Sequence, residues 1–192
     1  VVPSMVTVLE DALRLLGVTD VIEVSSGVKT GLNIRSEQPR QVGSDRVASA
    51  VAARAKGKLP CVVVCLGTAT TFTVLDQSGA LVGSAITAGV RLSLSALREQ
   101  AAQLPAVAIE ARDEGILARN TADAMRVGAV YGAAAMVDGM VGRFAETLGQ
   151  TPHVVVTGDI APLVTRYMRV PFEYDQSLVL DGLHLIWKRN RS

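Results

Sequence analysis

The sequence is short of cysteine, of aromatic residues and of net charge, and each shortage removes a class of protein. Two cysteines in 192 residues cannot build a disulfide framework. Both sit in the run Cys61-Val-Val-Val-Cys65. An extended chain sets their Cα atoms roughly 13 Å apart, well beyond the ~7 Å that a disulfide tolerates, so they bridge neither each other nor a shared metal. Lys and Arg number 19 against 18 Asp and Glu, without a basic stripe, and aromatics make up 4%. That pattern carries no footprint for nucleic acid. No apolar run approaches the ~18 residues of a membrane span, and no basic and apolar leader opens the chain. Neither a membrane nor an export signal is therefore expected, and a reducing cytoplasm is the natural compartment. A Walker-type glycine loop, a Rossmann glycine fingerprint and a Ser-His-Asp order are also missing. His153 and His184 lack metal-ligand spacing and read as structural, and Trp187 reads as a packing residue. The initiator Met is absent too: the chain opens on Val1-Val2-Pro3, as a fragment or a processed product would.

What is present is 49% hydrophobic and 19% charged residues, enough for one globular domain or two small lobes. Ser4 is expected to cap a first helix whose Val6, Leu9, Leu13 and Leu16 share a face and which stops at Gly17. A short strand is predicted over 21–24, then a polar stretch, 25–43, too long for an idle connection. A second helix starts near Asp45, behind Ser44 as its cap, and ends at Gly57. Strands are predicted over 61–66, 70–75 and 80–86, the last two joined as a hairpin by Asp76-Gln77-Ser78-Gly79. Helices over 91–103 and 121–148, a strand over 153–157 and helices over 160–167 and 177–188 complete the chain. A hairpin followed by alternating strands and helices implies a mixed α/β sheet. On the long helix, small residues recur at Gly128, Gly132, Ala135 and Gly139, which suits either close packing within the chain or a subunit interface.

Three strings could carry chemistry. Leu66-Gly67-Thr68-Ala69-Thr70-Thr71-Phe72 joins two strands. Gly67 permits a tight turn, and free N–H groups with the Thr68 and Thr70 hydroxyls could meet a phosphate, although Thr is also common in plain hairpins. Gly43-Ser44-Asp45-Arg46 opens a helix. A carboxylate there is kept ionised by the helix dipole and can accept a hydroxyl proton, and the guanidinium can fork onto a substrate carboxylate; ordinary capping explains the same residues. Asn120-Thr121 heads the long helix, as an anion-binding terminus or as a cap. With the strand exits Ser84-Ala85-Ile86-Thr87-Ala88-Gly89 and Thr157-Gly158-Asp159, these strings suit a nucleotide or small-molecule cleft.

The order of the strings is itself informative. Gly31-Leu-Asn-Ile34, Gly43-Ser44-Asp45-Arg46, Gly67-Thr68-Ala69-Thr70-Thr71-Phe72, Leu104-Pro105, Asn120-Thr121 with Ala124-Met125 and Gly128, Tyr131-Gly132, Thr157-Gly158 and Leu183-His-Leu-Ile186 follow one another along the chain. In that order they resemble the type III pantothenate kinases, a family that includes Bvg accessory factors, over essentially the whole sequence. The resemblance implies an RNase H-like lobe of the acetate and sugar kinase, hsp70 and actin type, with a mixed sheet flanked by helices, in a homodimer. It implies transfer of the γ-phosphoryl of ATP, with Mg2+, to the hydroxyl of pantothenate, the first step of coenzyme A synthesis. By the same resemblance Asp45 is the general base, Gly43, Ser44, Asp45 and Arg46 hold pantothenate, Gly67 and Thr68 contact ATP, and Thr121 contacts pantothenate across the dimer. Residues 1–192 then form mostly the C-terminal lobe, with 1–42 as the junction and remnant of the N-terminal lobe.

The sequence departs from the family at three points. The Asp-x-Gly-Asn-Thr phosphate motif that opens the family's first lobe has no counterpart here, and Val1-Val2-Pro3 aligns with the end of that lobe. Cys65 stands where the family has an Asp for a monovalent cation; a neutral thiol is a poor ligand for K+ or NH4+, so that site should be weakened. Ser36 stands where a Tyr lines the pantothenate pocket. These departures keep a second reading open, a catalytically inactive homologue acting as a binding or regulatory protein.

Overall fold

The Val-rich run in the middle of the chain has no polar face, so it must be covered on both sides, and the fold is built around it. In the computed structural model, which describes residues 3–191 apart from 26, 102 and 111–114, this run is β1 (Cys61–Leu66). It pairs antiparallel with β2 (Ala69–Leu75), which pairs antiparallel with β3 (Leu81–Ala88). On its other side β1 pairs parallel with β4 (His153–Thr157), and β4 pairs parallel with β5 (Glu173–Tyr174), giving the order β3-β2-β1-β4-β5. This is a mixed sheet flanked by helices, as expected. The hairpin between β2 and β3 closes as expected: Asp76 Oδ1 accepts from the N–H groups of Ser78 at 2.8 Å and Ala80 at 3.0 Å, and Gly79 takes a φ of 73°.

Strand alternation splits the apolar side chains between two layers. Val62, Val64, Leu66, Phe72, Val74, Val154 and Val156 meet α4 (Thr121–Leu148) through Ala134, Val137 and Val141, and α5 (Ala161–Val164) through Ala161 and Val164. Cys61, Val63, Leu75 and Val155 face α2 (Ser44–Ala55) and Leu178 of α6 (Leu178–Arg191). Outside the sheet α2 and α6 cross backbone to backbone, so close that an ideal Cβ at Gly182 would stand 1.9 Å from the Ala48 carbonyl oxygen. At the lower edge, Glu173 of β5 accepts from Lys56 at 2.7 Å and Lys58 at 3.0 Å and meets His153 Nε2 at 3.1 Å. Those hydrogen bonds, the one from Lys56 foremost, hold its carboxyl down at about 2.

Several boundaries differ from the sequence reading. No strand forms over 21–24; Val24 instead packs, with Val28 and Leu32, against Val47, Ala48 and Ile186, so its hydrophobicity covers helices rather than filling a ladder. The polar stretch that follows is anchored. Asn190 and Lys29 exchange hydrogen bonds of 3.1 and 3.0 Å, and Ile34 bridges Leu81. The first helix, α1 (Pro3–Leu15), begins one residue before the serine expected to cap it, with proline at its start. The helix that follows β3 is α3 (Val90–Gln100), and the one predicted over 160–167 is α5 plus a 3-10 turn, Thr165–Tyr167. The two-residue β5 has no sequence signal of its own.

The α2/α6 crossing has room for hydrogen only. Gly182→Ala is expected to cost about 3 kcal/mol through overpacking, read as a lowered urea midpoint; an unchanged midpoint contradicts the close crossing.

Candidate active site

At the C-terminal ends of β1 and β4 three stretches of backbone meet without side chains between them. β1 leads into β2 through Gly67-Thr68, with the Gly67 N–H donating to the Ala69 carbonyl at 3.2 Å. Gly89, which precedes α3, lies against this turn, donating to the Thr68 carbonyl at 3.0 Å; a Cβ on it would stand 2.1 Å from the Gly67 oxygen. From the other side Gly158, at a φ of +109°, would place a Cβ 2.3 Å from the Leu66 oxygen, and the Ile160 N–H donates to that oxygen at 3.1 Å. The tight positions are thus Gly89 and Gly158. Gly67, read from sequence as the tight turn, would meet only ordinary contacts, starting at 3.8 Å, if it carried a Cβ. Its N–H is engaged rather than free, Thr70 is buried, and Thr68 is the exposed hydroxyl of the turn.

α2 begins toward the same end of the sheet, where the Asp45 carboxylate acts on Cys65. Gly43 is its N-cap, so Ser44, expected to cap, is the first helical residue; the Gly43 carbonyl accepts from Arg46 N at 3.1 Å and Val47 N at 3.0 Å. The φ of Gly43, −55°, is open to any residue, and among the described residues the only close neighbour of a Cβ there is the Asp45 side chain. A Cβ there would fall 2.6 Å from Asp45 Oδ1 and displace that carboxylate. Arg46 is 9% exposed, and its Nε is buried without an acceptor among the described residues. A buried guanidinium nitrogen without a partner costs free energy until an oxygen reaches it.

Cys65 lies half-buried, one residue before the end of β1. Burial raises its thiol pKa, and the carboxylates of Asp45 and then Asp159 raise it further, so the group stays neutral at physiological pH. Both carboxylates therefore bear on the end of β1. Asp159 in turn forms an ion pair with Arg91 of α3. Sequence reasoning named the Thr157-Gly158-Asp159 exit without giving Asp159 a part, and passed over Arg91 altogether. A cation in the first turn of α3, where the helix dipole disfavours it, was the available signal.

Thr121 is placed elsewhere. It heads α4 behind Asn120, whose Oδ1 accepts from Asp123 N at 2.9 Å as a cap. It lines a cavity of about 510 Å³ between α3 and α4 whose walls include Ser93, Leu97, Gly128 and Gly132, and none of residues 43–46, 67 or 68. Among the described residues a Cβ at Gly128 or Gly132 would meet nothing within 4 Å. Ser36 serves its own turn, accepting from Gln38 N at 3.3 Å. Among the described residues no group of three or more His, Cys, Asp or Glu side chains could hold a metal ion, and no helix is long and apolar enough to cross a membrane.

Comparison with known proteins gives the chain's relatives. A family model described as type III pantothenate kinase matches residues 1–143. A type III pantothenate kinase of Anaeromyxobacter sp. (strain Fw109-5) is 41% identical over 192 residues, 100% of this chain and 75% of that protein. One from Pelobacter propionicus is 41% identical over 191 residues, with the same coverage of 100% and 75%. One from Koribacter versatilis is 37% identical over 192 residues, covering 100% and 70%. Among solved structures, a Baf family protein of Campylobacter jejuni described as a transcriptional activator superposes with a TM-score of 0.59 at 20% identity, over 95% of this chain and 78% of that one, and so shares the fold.

The neutral Cys65 thiol gives a direct check on the two carboxylates. In a Cys61→Ser background, alkylation of Cys65 by iodoacetamide is expected to titrate above the ordinary thiol value of 9.0, and Asp45→Asn to move that midpoint down. A midpoint at or below the ordinary value, or one unmoved by Asp45→Asn, contradicts the placement.

Proposed function

The chain belongs to the type III pantothenate kinase family, and on that premise we propose that it transfers the γ-phosphoryl group of ATP to the hydroxyl of pantothenate, the first step of coenzyme A synthesis. The observation that carries the reading is the adjacency, in the first turn of α2, of the Asp45 carboxylate and Arg46, whose buried Nε has no acceptor among the described residues. A substrate with a carboxylate at one end and a hydroxyl at the other satisfies both groups, the first by a forked hydrogen bond to the guanidinium. Similarity to named kinases favours this over the inactive-homologue reading.

In the proposed step the hydroxyl oxygen attacks the γ-phosphorus, the bond from that phosphorus to the bridging oxygen breaks, and its electron pair leaves with ADP. Asp45, at the positive end of α2, takes the hydroxyl proton and later gives it to solvent. Gly43 keeps the carboxylate in place by leaving it room, and Ser44 completes the pantothenate-holding turn. Thr68 offers its exposed hydroxyl, and the Gly67 backbone its close approach, to the nucleotide's phosphates. Magnesium travels with ATP in such reactions, coordinated largely by phosphate oxygens. Among the described residues no group of three or more His, Cys, Asp or Glu side chains is placed to hold it.

The remaining parts of the reading follow the same family logic. Thr121 contacts pantothenate from the second copy of a homodimer; its separate cavity and the unfilled space at Gly128 and Gly132 support that arrangement. Residues 1–42 join this lobe to an N-terminal one, and the protein works in the cytoplasm. Cys65, uncharged, leaves any K+ or NH4+ site weak.

Asp45→Asn is expected to lower kcat for pantothenate-dependent ADP release by a hundredfold or more, on the order expected for a lost general base, with the KM for pantothenate changed only severalfold. Turnover equal to the parent contradicts the base role.

A further inference from the structure

Arg91 occupies a position that folding alone does not explain. It lies in the first turn of α3, where the helix dipole disfavours a cation. Its ion pair with Asp159 is 61% and 60% exposed at the two side chains, and a pair so wet contributes little to stability. The location of the pair is more telling. Arg91 follows by two residues Gly89, whose backbone touches the Gly67 and Thr68 carbonyls, and Asp159 Oδ1 stands 3.9 Å from the point where a Cβ on Gly67 would be. The guanidinium is thus tethered at the margin of the turn that faces the nucleotide in the reading above. Asp45 and Asp159 already place two negative charges at this end of the sheet, so an arriving polyphosphate needs a cation beside the turn.

We propose that Arg91 is a phosphate-binding residue of this kinase: when ATP occupies the Gly67-Thr68 turn, the guanidinium leaves Asp159 for oxygens of the nucleotide's polyphosphate. Asp159 is the positioning residue that keeps Arg91 aimed at the turn while nucleotide is absent. The inference rests on the kinase reading and deepens it by naming a nucleotide contact. Arg98 supplies an internal control, since it carries the same charge on the same helix and lines the same shallow cavity as Arg91, two turns farther from Gly67.

The test is calorimetric titration of the full chain with a non-hydrolysable ATP analogue, adenylyl imidodiphosphate, together with initial rates against ATP and pantothenate. Arg91→Gln is expected to weaken binding of the analogue about tenfold or more, the scale of a lost charge-assisted contact, and to raise the KM for ATP in step. The KM for pantothenate should stay within about twofold. Arg91→Lys should recover part of the loss, Arg98→Gln should change little, and Asp159→Asn should add nothing in the Arg91→Gln background. Arg91 is exposed, so the thermal midpoint should hold, and Arg91→Lys reports on the contact if Arg91→Gln does not fold. Analogue affinity unchanged in Arg91→Gln, or an equal loss in Arg98→Gln, overturns the proposal. If the parent phosphorylates pantothenate while Arg91→Gln binds the analogue normally, this inference alone fails. If the parent binds the analogue through Arg91 but forms no phosphopantothenate, the kinase reading alone fails.

Discussion

Close approach of bare backbone at the end of β1 is the constraint on which the functional end of this molecule depends. Gly89 and Gly158 press against the Leu66-Gly67-Thr68 segment at distances that exclude any Cβ. Because nothing intervenes, the start of α3, the exit of β4 and the β1–β2 turn share one corner, and their first polar side chains, Arg91, Asp159 and Thr68, share it too. α2 adds Asp45 and Arg46 to the same end by covering the face of the sheet on which Cys65 lies. Helix starts and strand exits of this kind leave polar groups where a ligand can reach them, while the sheet behind holds them rigid.

The charged cluster around β5 and the candidate site lie at opposite ends of the sheet. At the entry of β1 and β4, Lys56, Lys58, His153, Glu173 and Asp175 form a connected set of ion pairs that ties the short β5 to the sheet. These charges satisfy one another, with Glu173 held near 2 and Lys56 raised by Asp175 and Glu173. The other end is left electrostatically unsettled: two carboxylates act on one thiol, a cation stands in a disfavoured helical turn, and a buried guanidinium nitrogen has no acceptor among the described residues. Unsettled groups mark a site that a ligand completes.

How far the sequence disclosed this depended on how local each feature is. Strands β1 to β4, the hairpin and the long helix are written in periodicity and turn residues, while the order of the motif strings carried the family resemblance. The strand predicted over 21–24 was misread because Val24 packs sideways onto α2 and α6, a tertiary use of hydrophobicity that mimics local alternation. β5, two residues long, is held by ion pairs to distant lysines and has no local pattern to read. At the site, Asp45 and Arg46 were visible as a motif. The reason for Gly43 was not, since the collision of a Cβ with Asp45 Oδ1 is evident only in three dimensions. Gly67 drew attention that belonged to Gly89 and Gly158, because glycine reads as a turn former even where close contact from outside the turn is what requires it. Arg91 and Asp159 come from segments 68 residues apart and meet only through the fold.

The chemistry asked of this corner is modest. Phosphoryl transfer needs alignment and charge compensation more than covalent help. In the proposed reading one carboxylate, Asp45, serves the acceptor side, and a turn with a hydroxyl, Thr68, serves the donor side. The central claim, that both substrates meet where α2, β1 and β4 converge, is tested most directly by amide hydrogen exchange with each substrate in turn. The account predicts that pantothenate slows exchange over residues 43–47 and that an ATP analogue slows it over 66–69. Exchange unchanged in both segments under saturating ligand would contradict it.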